Sequence, residues 1–258
     1  MIPFSKYQGT GNDFVLIDNR DLHISLTAEQ IAFMCHRRFG IGADGLMLLE
    51  KAAGFDFRMV YFNSDGNEST MCGNGGRCIT AFARDLGIIT GHAHFIAIDG
   101  AHEATVLSDG DIALHMNNVQ NVQHFADHAI LNTGSPHYVE WVEDVAAVNV
   151  FERGKHIRYD AAFAPGGTNV NFVQRDGTML KVRTYERGVE DETYSCGTGV
   201  TAAAIAASGN ATGAFSTDIA TPGGKLNVSF IKDSAASATG VVLTGPARHV
   251  FAGHISLG

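Results

Sequence analysis

Two cysteines of this chain begin matching glycine-rich elements whose composition favours acid–base chemistry. Cys72 begins Cys72-Gly73-Asn74-Gly75, Cys196 begins Cys196-Gly197-Thr198-Gly199, and each element runs into a predicted alanine-rich helix. The first N–H groups of a helix have no partner inside the helix, so they can bind an anion or stabilise a thiolate. At such a position the pKa of a cysteine can fall from about 8.5 into the range of roughly 3.5 to 7.5. Each element therefore predicts a reactive thiol beside an anion-binding loop.

The duplication of the element indicates which reaction these thiols serve. One copy is explained equally well as a small buried side chain that packs a helix start, because free cysteine is commonly a core residue. Two copies at equivalent places favour a reaction on both faces of one carbon, in which one thiolate removes a proton and the other thiol donates one. Such a pair predicts racemisation or epimerisation. The backbone N–H groups that could stabilise an α-carboxylate are those of Gly73, Asn74, Gly197 and Thr198.

The composition excludes several classes of protein. Hydrophobic residues make up 45% and charged residues 17% of 258 residues, which argues against disorder and leaves room for two domains of moderate size. The net charge of −9, without a cluster of Lys or Arg, makes nucleic acid and anionic membranes poor partners. No apolar run approaches the roughly 18 residues of a membrane helix. The first residues lack the pattern of a secretory signal, so a cytoplasmic location is expected.

The cysteines and histidines predict neither a disulfide framework nor a metal site. The four cysteines, at 35, 72, 78 and 196, lack the spacing of a zinc site and are expected to be reduced. The twelve histidines include the pair His92 and His94, but without acidic or cysteine companions this pair is more typical of surface polarity. Paired thiols also supply the proton chemistry themselves, so we predict no metal and no cofactor.

The chain shows two similar halves. In each half a predicted strand is followed by a turn, a Cys-Gly-x-Gly element and a helix that ends at glycine. We predict the first helix over 77–86 and the second over 200–207, with Gly87 and Gly209 as their ends. The second helix is apolar on every side, so we expect strands to enclose it.

Other local patterns support the same repeat. The glycine-rich turn and strand at 165–173 resemble those at 9–17, which would place Asn169 where Asn12 stands in the first half. A helix is predicted from Thr27 to the region of Gly40, and hairpin turns are predicted at 108–111 and 233–240.

The repeat predicts the domain boundaries. The first half covers 1–116 and contains Cys72, and the second covers 117–248 and contains Cys196. The strand-like stretch 249–258 is a candidate to return to the first half.

The chain resembles the diaminopimelate epimerase family over nearly its whole length. The resemblance rests on Gly11-Asn12-Asp13-Phe14, Phe62-Asn63-Ser64-Asp65-Gly66, Met71-Cys72-Gly73-Asn74-Gly75-Gly76-Arg77-Cys78, Ser135-Pro136-His137, Tyr185-Glu186-Arg187-Gly188 and Ser195-Cys196-Gly197-Thr198-Gly199. Members interconvert the LL and meso forms of diaminopimelate in bacterial lysine and peptidoglycan biosynthesis. The resemblance implies an α/β fold of the α+β kind, with two pseudo-symmetric halves, each a curved, mostly antiparallel sheet wrapped around a central helix. It also implies a homodimer that acts on a small molecule.

The resemblance implies a role for each site residue. Cys72 and Cys196 are the two bases, and Glu186 and His137 help to manage thiol protonation. The α-carboxylate is bound by Gly73, Asn74, Gly197 and Thr198. The distal end of the substrate is bound by Asn12, Asn63, Asn169, Glu186 and Arg187. The planar guanidinium of Arg187 suits a carboxylate, whereas the competing interpretation of Arg187 is a surface ion pair with Glu190 or Asp191.

Three positions depart from the family pattern. Gly45 replaces a glutamine of some members, Ser135 replaces an asparagine of many members, and the loop 188–195 is longer and more acidic than in several relatives. Contacts of the substrate at these places are therefore not assigned. Cys35 and Cys78 are predicted to be structural core residues.

Two alternative functions remain open. A proline or hydroxyproline racemase-type enzyme of the same fold would use the same thiols, but an imino acid has no distal end for Arg187 to bind. A non-catalytic relative of the PhzF kind, or a ligand-binding protein on the same scaffold, would need donors for a carboxylate but no paired thiols.

Overall fold

The computed structural model describes residues 1–257, and the chain divides into two compact units. Unit 1 comprises Met1–Leu114 together with the chain from Gly245 onward, and unit 2 comprises His115–Thr244. Within residues 1–257, no helix is long and apolar enough to cross a membrane.

Unit 1 is built from strands around one central helix. Its helices are α1 Ala28–Cys35 and α2 Gly73–Asp85. Its strands are β1 Ile2–Gly9, β2 Asn12–Asp18, β3 Gly45–Glu50, β4 Phe57–Asn63, β5 Glu68–Ser69, β6 His92–Ala97, β7 Gly100–Val106, β8 Ile112–His115 and β18 Arg248–Ile255. Helix α2 packs against β1, β2, β3, β7 and β18, so this sheet curves around it.

Unit 2 has the same composition of elements. Its helices are α3 Val150–Arg158 and α4 Gly197–Ala207, with short 3₁₀ turns at Val145–Ala147 and Ala161–Phe163. Its strands are β9 Gln123–His124, β10 His128–Asn132, β11 Pro136–Trp141, β12 Asn169–Asp176, β13 Met179–Glu186, β14 Asp191–Thr193, β15 Gly213–Thr221, β16 Gly224–Ser234 and β17 Ser237–Gly245. Helix α4 packs against β10, β11, β12, β13, β15 and β16.

The two units repeat one pattern of strand pairing. In unit 1 the order is β18, β1, β2, β3, β4, β6, β7, β8, with β5 added to β4; only β2–β3 and β4–β6 are parallel among these pairs. In unit 2 the order is β9, β10, β11, β12, β13, β15, β16, β17, with β14 added to β13; only β11–β12 and β13–β15 are parallel among these pairs. The predicted α/β fold of two pseudo-symmetric, mostly antiparallel halves is confirmed.

The pairing pattern corrects one predicted equivalence. Asn169 begins β12, the parallel neighbour of β11, and its counterpart in unit 1 is therefore Gly45, which begins β3. Asn12 begins β2, whose counterpart β11 begins at Pro136. The prediction that Asn169 stands where Asn12 stands is wrong. Glycine-rich turns precede both β2 and β12. Because these turns are similar in sequence, the prediction matched β12 to β2, whereas its counterpart is the next strand, β3.

Helix α2 begins four residues earlier than the sequence predicted. Its first residues are poor helix formers, so intrinsic propensity placed the start at Arg77. In the structure Cys72 is the N-cap, and its sulfur accepts a hydrogen bond from the Gly75 N–H. The helix ends as predicted, because Gly87 has φ +72° and so adopts a left-handed conformation that stops the helix.

Helix α4 is enclosed, as its apolar sequence predicted. Residues from Val200 to Ala206 are all buried, and all of them except the polar Thr201 belong to the apolar core of unit 2. Gly209 has φ +55° just beyond the end of this helix. Helix α1 begins where it was predicted, with Thr27 as its N-cap and a capping box to Gln30, but it ends at Cys35 instead of near Gly40. A Cβ on Gly40 would lie 1.9 Å from the Phe33 carbonyl oxygen, so the chain turns back on the helix here.

Helix α3 has no counterpart in the sequence predictions. Gly154 in its middle and its many charged residues obscured the helical pattern. The glycine is there for packing, because α3 lies against β12 and β13 and a Cβ on Gly154 would lie 2.4 Å from the Tyr185 Cβ.

We predict that Gly154→Ala lowers the free energy of unfolding by about 1–2 kcal/mol. Alanine gains about 1 kcal/mol of helix propensity, but overpacking typically costs about 1–3 kcal/mol, and the clashing atom is a Cβ close to the backbone. The matched control is Gly91→Ala, where nothing lies within 4 Å of the added Cβ, so the change should stay within about 0.5 kcal/mol. Urea unfolding measures both, and equal stabilities would contradict the close packing of α3.

Candidate functional site

In unit 1 the candidate site is the start of α2. Cys72 is half-buried at the N-cap, and the Gly75 N–H lies 3.2 Å from its sulfur. A hydrogen bond to sulfur favours the charged thiolate over the thiol. A Cβ on Gly75 would lie 3.1 Å from the same sulfur, so glycine permits this close approach. The loop therefore fits a thiolate at Cys72 and leaves neighbouring backbone donors for an anion.

Arg77 lies fully buried beneath this helix start. Its guanidinium donates to the carbonyl of Gly73 at 3.2 Å, to the hydroxyl of Thr10 at 3.1 Å and to Oδ1 of Asn74 at 3.0 Å. Burial lowers the pKa of Arg77, while the negative forms of the Cys78 and Cys72 thiols oppose that effect. The guanidinium therefore fixes the side chain of Asn74 and adds a positive charge that acts on Cys72.

Asn12 lies beside the same helix start. Its Nδ2 donates to Asp44 Oδ2 at 2.5 Å, and its Oδ1 accepts from Asn74 Nδ2 at 3.4 Å. Asp44 is in turn bound by Arg37, which lies 2.6 Å from Asp44 Oδ1 and also pairs with Asp13. Burial alone would raise the pKa of Asp13, but hydrogen bonds from Arg37 and Lys6 outweigh it and lower that pKa to about 2. This ionic network fixes the orientation of Asn12.

Asn63 and Gly45 lie opposite each other at the end of β4 and the start of β3 in unit 1. Asn63 ends β4 with its side chain exposed, and it pairs in register with Gly45 at the start of β3. A Cβ on Gly45 would lie 2.6 Å from the Tyr61 ring and 2.6 Å from the Phe62 carbonyl oxygen. Position 45 therefore has no room for a side chain, which explains the departure from glutamine.

In unit 2 the candidate site is the start of α4. Cys196 is its N-cap and is 6% exposed, with the Thr198 hydroxyl 3.5 Å from its sulfur. The carbonyl of Thr198 accepts a hydrogen bond from the Thr133 hydroxyl at 2.9 Å, which ties the helix start to the turn before β11. A Cβ on Gly199 would lie 2.3 Å from Asn171 Oδ1, so this glycine also permits a close approach.

Ser135 joins two of the predicted substrate-binding residues. Its hydroxyl oxygen accepts from Asn169 Nδ2 at 2.8 Å and from Arg187 Nη2 at 3.2 Å. Asn169 Oδ1 also accepts from the backbone N–H of Arg187 at 2.9 Å. Serine at this position thus orients Asn169 and Arg187 relative to one another, a role that sequence reasoning did not assign.

The loop after Arg187 is fixed by Glu190. The Glu190 carboxylate accepts from the Gly188 N–H at 3.0 Å, from Arg158 at 3.1 Å and from the Tyr159 hydroxyl at 3.0 Å. Glu190 has φ +60°, a left-handed conformation that costs a non-glycine residue about 1–2 kcal/mol, so these bonds hold it there. Among residues 1–257 no ion pair joins Arg187 to Glu190 or Asp191, the competing interpretation: Glu190 pairs with Arg158, and Arg187 donates to Ser135.

His137 and Glu186 lie at the same edge of unit 2. His137 is fully buried on β11, with Nδ1 3.1 Å from Asn171 Nδ2. Burial, with a smaller effect of the positive Arg187, lowers the pKa of His137 to about 3, so its imidazole is neutral. Glu186 ends β13, and its Oε2 accepts from the Thr193 hydroxyl at 2.9 Å. These two residues therefore offer a neutral imidazole and a carboxylate.

The remaining cysteines are not suited to acid–base chemistry. Cys35 and Cys78 are buried, and burial raises the pKa of each thiol to about 12. All four cysteines are unbridged. No group of three or more His, Cys, Asp or Glu side chains in residues 1–257 could hold a metal ion.

Each unit thus gathers its own share of the predicted residues at one helix start and the adjoining strand ends. In unit 1 these are Asn12, Asn63, Cys72, Gly73 and Asn74; in unit 2 they are His137, Asn169, Glu186, Arg187, Cys196, Gly197 and Thr198. Sequence reasoning missed Arg77, Ser135 as an organiser, and Asn171. Arg77 lies within the Cys72 motif, so its charge was a usable signal. Asn171 had no signal apart from an amide inside an apolar strand.

Solved structures show which class of protein has this fold. A PhzF-family phenazine biosynthesis protein from Bacillus anthracis aligns with a TM-score of 0.79 at 15% identity, covering 99% of each chain. A hydroxyproline epimerase from Agrobacterium vitis aligns with a TM-score of 0.72 at 15% identity, covering 98% of this chain and 91% of that one. The chain therefore has the fold shared by PhzF proteins and amino-acid epimerases, with a cysteine at each central helix start.

Sequence comparison identifies the family within that class. The family model of diaminopimelate epimerase matches residues 4–122 and 129–250. A diaminopimelate epimerase from Flavobacterium psychrophilum is 51% identical over 251 residues, 95% of this chain and 97% of the relative. Another from Chlorobaculum tepidum is 42% identical over 264 residues, 96% of this chain and 99% of the relative. The chain belongs to the diaminopimelate epimerase family, a family of isomerases, and the predicted resemblance is confirmed.

We predict that Glu190→Gln loosens the loop that carries Arg187. The amide of Gly188 should exchange with solvent about tenfold faster, because a hydrogen bond to a charged group contributes roughly 1.5–3 kcal/mol and a neutral amide replaces it. The matched control is Glu192→Gln in the same loop, where the lost partner is Arg183, 2.6 Å away. Native-state hydrogen exchange measures both. Equal acceleration at Gly188 in the two variants would show that Glu190 has no specific role.

Proposed function

We propose that this protein is a cofactor-independent epimerase that interconverts LL- and meso-2,6-diaminopimelate. The observation that carries the proposal is that relatives with that name match the chain nearly end to end. The cysteine at the start of each central helix supports the two-base form of the reaction.

In the proposed reaction one cysteine is the base and the other is the acid, and Cys72 and Cys196 exchange these roles when the direction of epimerisation reverses. The thiolate of one cysteine removes the proton from the α-carbon on one face, and the thiol of the other donates its proton to the opposite face. The carbon is inverted, and the proton removed remains on the first sulfur. The backbone N–H groups of Gly73, Asn74, Gly197 and Thr198 would bind the α-carboxylate and stabilise the negative charge that develops on it.

Glu186 and His137 are proposed to help to manage the protonation of the thiols. Both belong to unit 2, as does Cys196. Glu186 supplies a carboxylate that can accept a proton, and His137 supplies a neutral imidazole because burial lowers its pKa to about 3.

The distal end of the substrate is proposed to bind Asn12, Asn63, Asn169, Glu186 and Arg187. Arg187 supports this assignment, because its guanidinium donates to the neutral Ser135 hydroxyl while the nearby Glu190 is bound to Arg158. A guanidinium of this kind can bind a carboxylate through two parallel hydrogen bonds. A cyclic imino acid has no group for it, which disfavours the proline or hydroxyproline racemase alternative.

The proposal extends to the setting of the enzyme. We propose that it acts as a cytoplasmic homodimer on a small-molecule substrate, with no nucleic-acid or membrane partner, in the formation of lysine and peptidoglycan precursors. The reaction needs no cofactor, because the two thiols supply both proton transfers. Light scattering of the purified protein would test the dimer.

We predict that Cys72→Ala and Cys196→Ala each reduce epimerisation by at least about 10²-fold, because an acid–base group typically contributes roughly 10² to 10⁴. In D₂O under reducing conditions, the native protein should place deuterium at the α-carbon that is inverted. Cys78→Ala is the matched control, since this thiol is fully buried and should leave the rate within a few fold.

Three outcomes would count against the proposal. Full activity of either alanine variant would exclude the two-base reaction. Activity of the native protein on proline or hydroxyproline, but not on diaminopimelate, would favour the imino-acid alternative. Inactivity toward all these amino acids, with the thiols titrating as reduced, would favour a non-catalytic relative.

We predict that Arg187→Lys raises KM for diaminopimelate by about 10- to 100-fold with a smaller effect on kcat. Lysine keeps the charge but loses the planar fork, and a hydrogen bond to a charged group contributes roughly 1.5–3 kcal/mol. The matched control is Arg183→Lys, whose arginine pairs with Glu192 and donates to the Val145 carbonyl. Steady-state kinetics should show an unchanged KM for the control. An unchanged KM for Arg187→Lys would remove Arg187 from the distal subsite.

A further inference from the structure

A buried polar trio borders the start of α4 in unit 2. His137 and Asn171 are fully buried, and Thr184 is 3% exposed. Asn171 links the other two, with Nδ2 3.1 Å from His137 Nδ1 and Oδ1 3.0 Å from the Thr184 hydroxyl. Polar groups are costly to bury unless they are hydrogen-bonded, so a trio of this kind requires a reason.

Unit 1 has apolar or aromatic side chains at two of the equivalent positions. Asn171 on β12 pairs in register with Thr184 on β13. The corresponding pair on β3 and β4 is Met47 with Tyr61. The shared framework therefore accommodates a methionine and a tyrosine where unit 2 has an asparagine and a threonine.

The glycines at the two helix starts support this equivalence independently. A Cβ on Gly75 would lie 2.6 Å from the Met47 methyl group, and a Cβ on Gly199 would lie 2.3 Å from Asn171 Oδ1. Each glycine is the third residue after its cysteine. Asn171 thus occupies, beside Cys196, the place that Met47 occupies beside Cys72.

His137 has an apolar counterpart as well. His137 pairs with Asn169 across β11 and β12, and Phe14 pairs with Gly45 across β2 and β3. Since one unit folds with phenylalanine and methionine where the other has histidine and asparagine, the fold itself does not require the polar trio. The trio is therefore a candidate for a role in the chemistry of unit 2.

The orientation of the Asn171 amide is fixed by a neighbouring carbonyl. Its Nδ2 lies 3.1 Å from the Tyr138 backbone oxygen, which can only accept a hydrogen bond. The NH₂ group must therefore point toward Tyr138 and His137, and Oδ1 accepts from the Thr184 hydroxyl. The reversed amide would place two acceptors, Oδ1 and the Tyr138 oxygen, against each other.

This orientation selects one tautomer of His137. An NH₂ group donates, so Nδ1 of His137 has to be the acceptor and the ring proton is on Nε2. Nε2 is buried and has no hydrogen-bond partner within residues 1–257. The imidazole is also neutral, because burial lowers its pKa to about 3. His137 accordingly presents one N–H donor.

We propose that Asn171 is a positioning residue that holds His137 as the neutral Nε2–H tautomer, so that His137 acts only as a hydrogen-bond donor in the reaction. This inference rests on the proposed function for its role in catalysis, but the tautomer itself does not depend on it. Nε2 already has a proton and Nδ1 is occupied by Asn171. His137 therefore takes up no proton from a thiol, and that task falls to the carboxylate of Glu186.

The direct test is the tautomer of His137 in the native protein. Long-range ¹H–¹⁵N correlation spectra of protein labelled in histidine distinguish Nε2–H, Nδ1–H and imidazolium, and His137→Gln identifies the signal among the twelve histidines. We expect His137 to be Nε2–H and uncharged throughout about pH 5 to 9, where an ordinary histidine with a pKa of about 6.5 would titrate. An Nδ1–H ring, or titration within this range, would overturn the proposal without any variant.

Two variants test whether Asn171 is the cause. Asn171→Met installs the residue of unit 1 and removes the donor, so we expect the Nε2–H signal to give way to a mixture of tautomers or to an Nδ1–H form. Thr184→Val is the matched control, because it removes a hydroxyl from the far side of the amide and should leave the tautomer of His137 unchanged. A His137 tautomer that is unaltered in Asn171→Met would refute the positioning role.

Kinetics separate this inference from the proposed function. Asn171→Met should lower kcat for diaminopimelate on the order of tenfold with KM within about twofold, less than the roughly 10² that loss of an acid–base group costs. The combination of an active native enzyme with the wrong tautomer overturns the inference and leaves the function standing. The predicted tautomer in a protein inactive on diaminopimelate supports the positioning of His137 and overturns the function.

Discussion

The structure depends on one electrostatic constraint: two helices are enclosed by strands, and their N-terminal N–H groups lie where bulk water cannot easily satisfy them. A helix has four such groups, and burial without partners is costly. Each unit has a cysteine at the N-cap with glycines close behind it, and in unit 1 the Cys72 sulfur accepts a hydrogen bond from the Gly75 N–H. The glycines leave space for sulfur, for a neighbouring side chain and for an anion. The sheets around the helices then supply the asparagine, glutamate and arginine side chains at their strand ends.

The two units share a framework but differ in what surrounds the cysteine. At the fifth position after Cys72 the chain has Arg77, whose guanidinium donates to the Gly73 carbonyl. At the fifth position after Cys196 it has Thr201, whose hydroxyl donates to the Gly197 carbonyl. The same carbonyl is thus bound by a cation in one unit and by a neutral group in the other. In a two-base reaction one thiol removes a proton while the other donates one. A cation near one thiol and a neutral group near the other distinguish the two thiols, which such a reaction can use.

Sequence reasoning predicted the parts of the molecule that depend on local chemistry. The C-terminal ends of α2 and α4, the start of α1 at Thr27 and the family follow from short motifs whose residues have few alternative roles. It failed where long-range pairing decides the outcome. Asn169 was matched to Asn12 because both follow glycine-rich turns, whereas the sheet register matches Asn169 to Gly45. Helix α3 escaped notice because Gly154 is dictated by contact with Tyr185, which no local pattern contains.

The order of the chain has a consequence for how the molecule is made. Unit 2 is one continuous segment, whereas unit 1 receives β18 only after unit 2 has been synthesised, and β18 pairs with β1 at the opposite end of the sequence. Pro246, in that late segment, provides a carbonyl to Arg77 beneath Cys72. All the strands around Cys196 therefore come from one segment of the chain, whereas the surroundings of Cys72 are complete only when β18 has joined β1. The surroundings of Cys72 thus require the closure of a far longer loop than those of Cys196, which costs more conformational entropy.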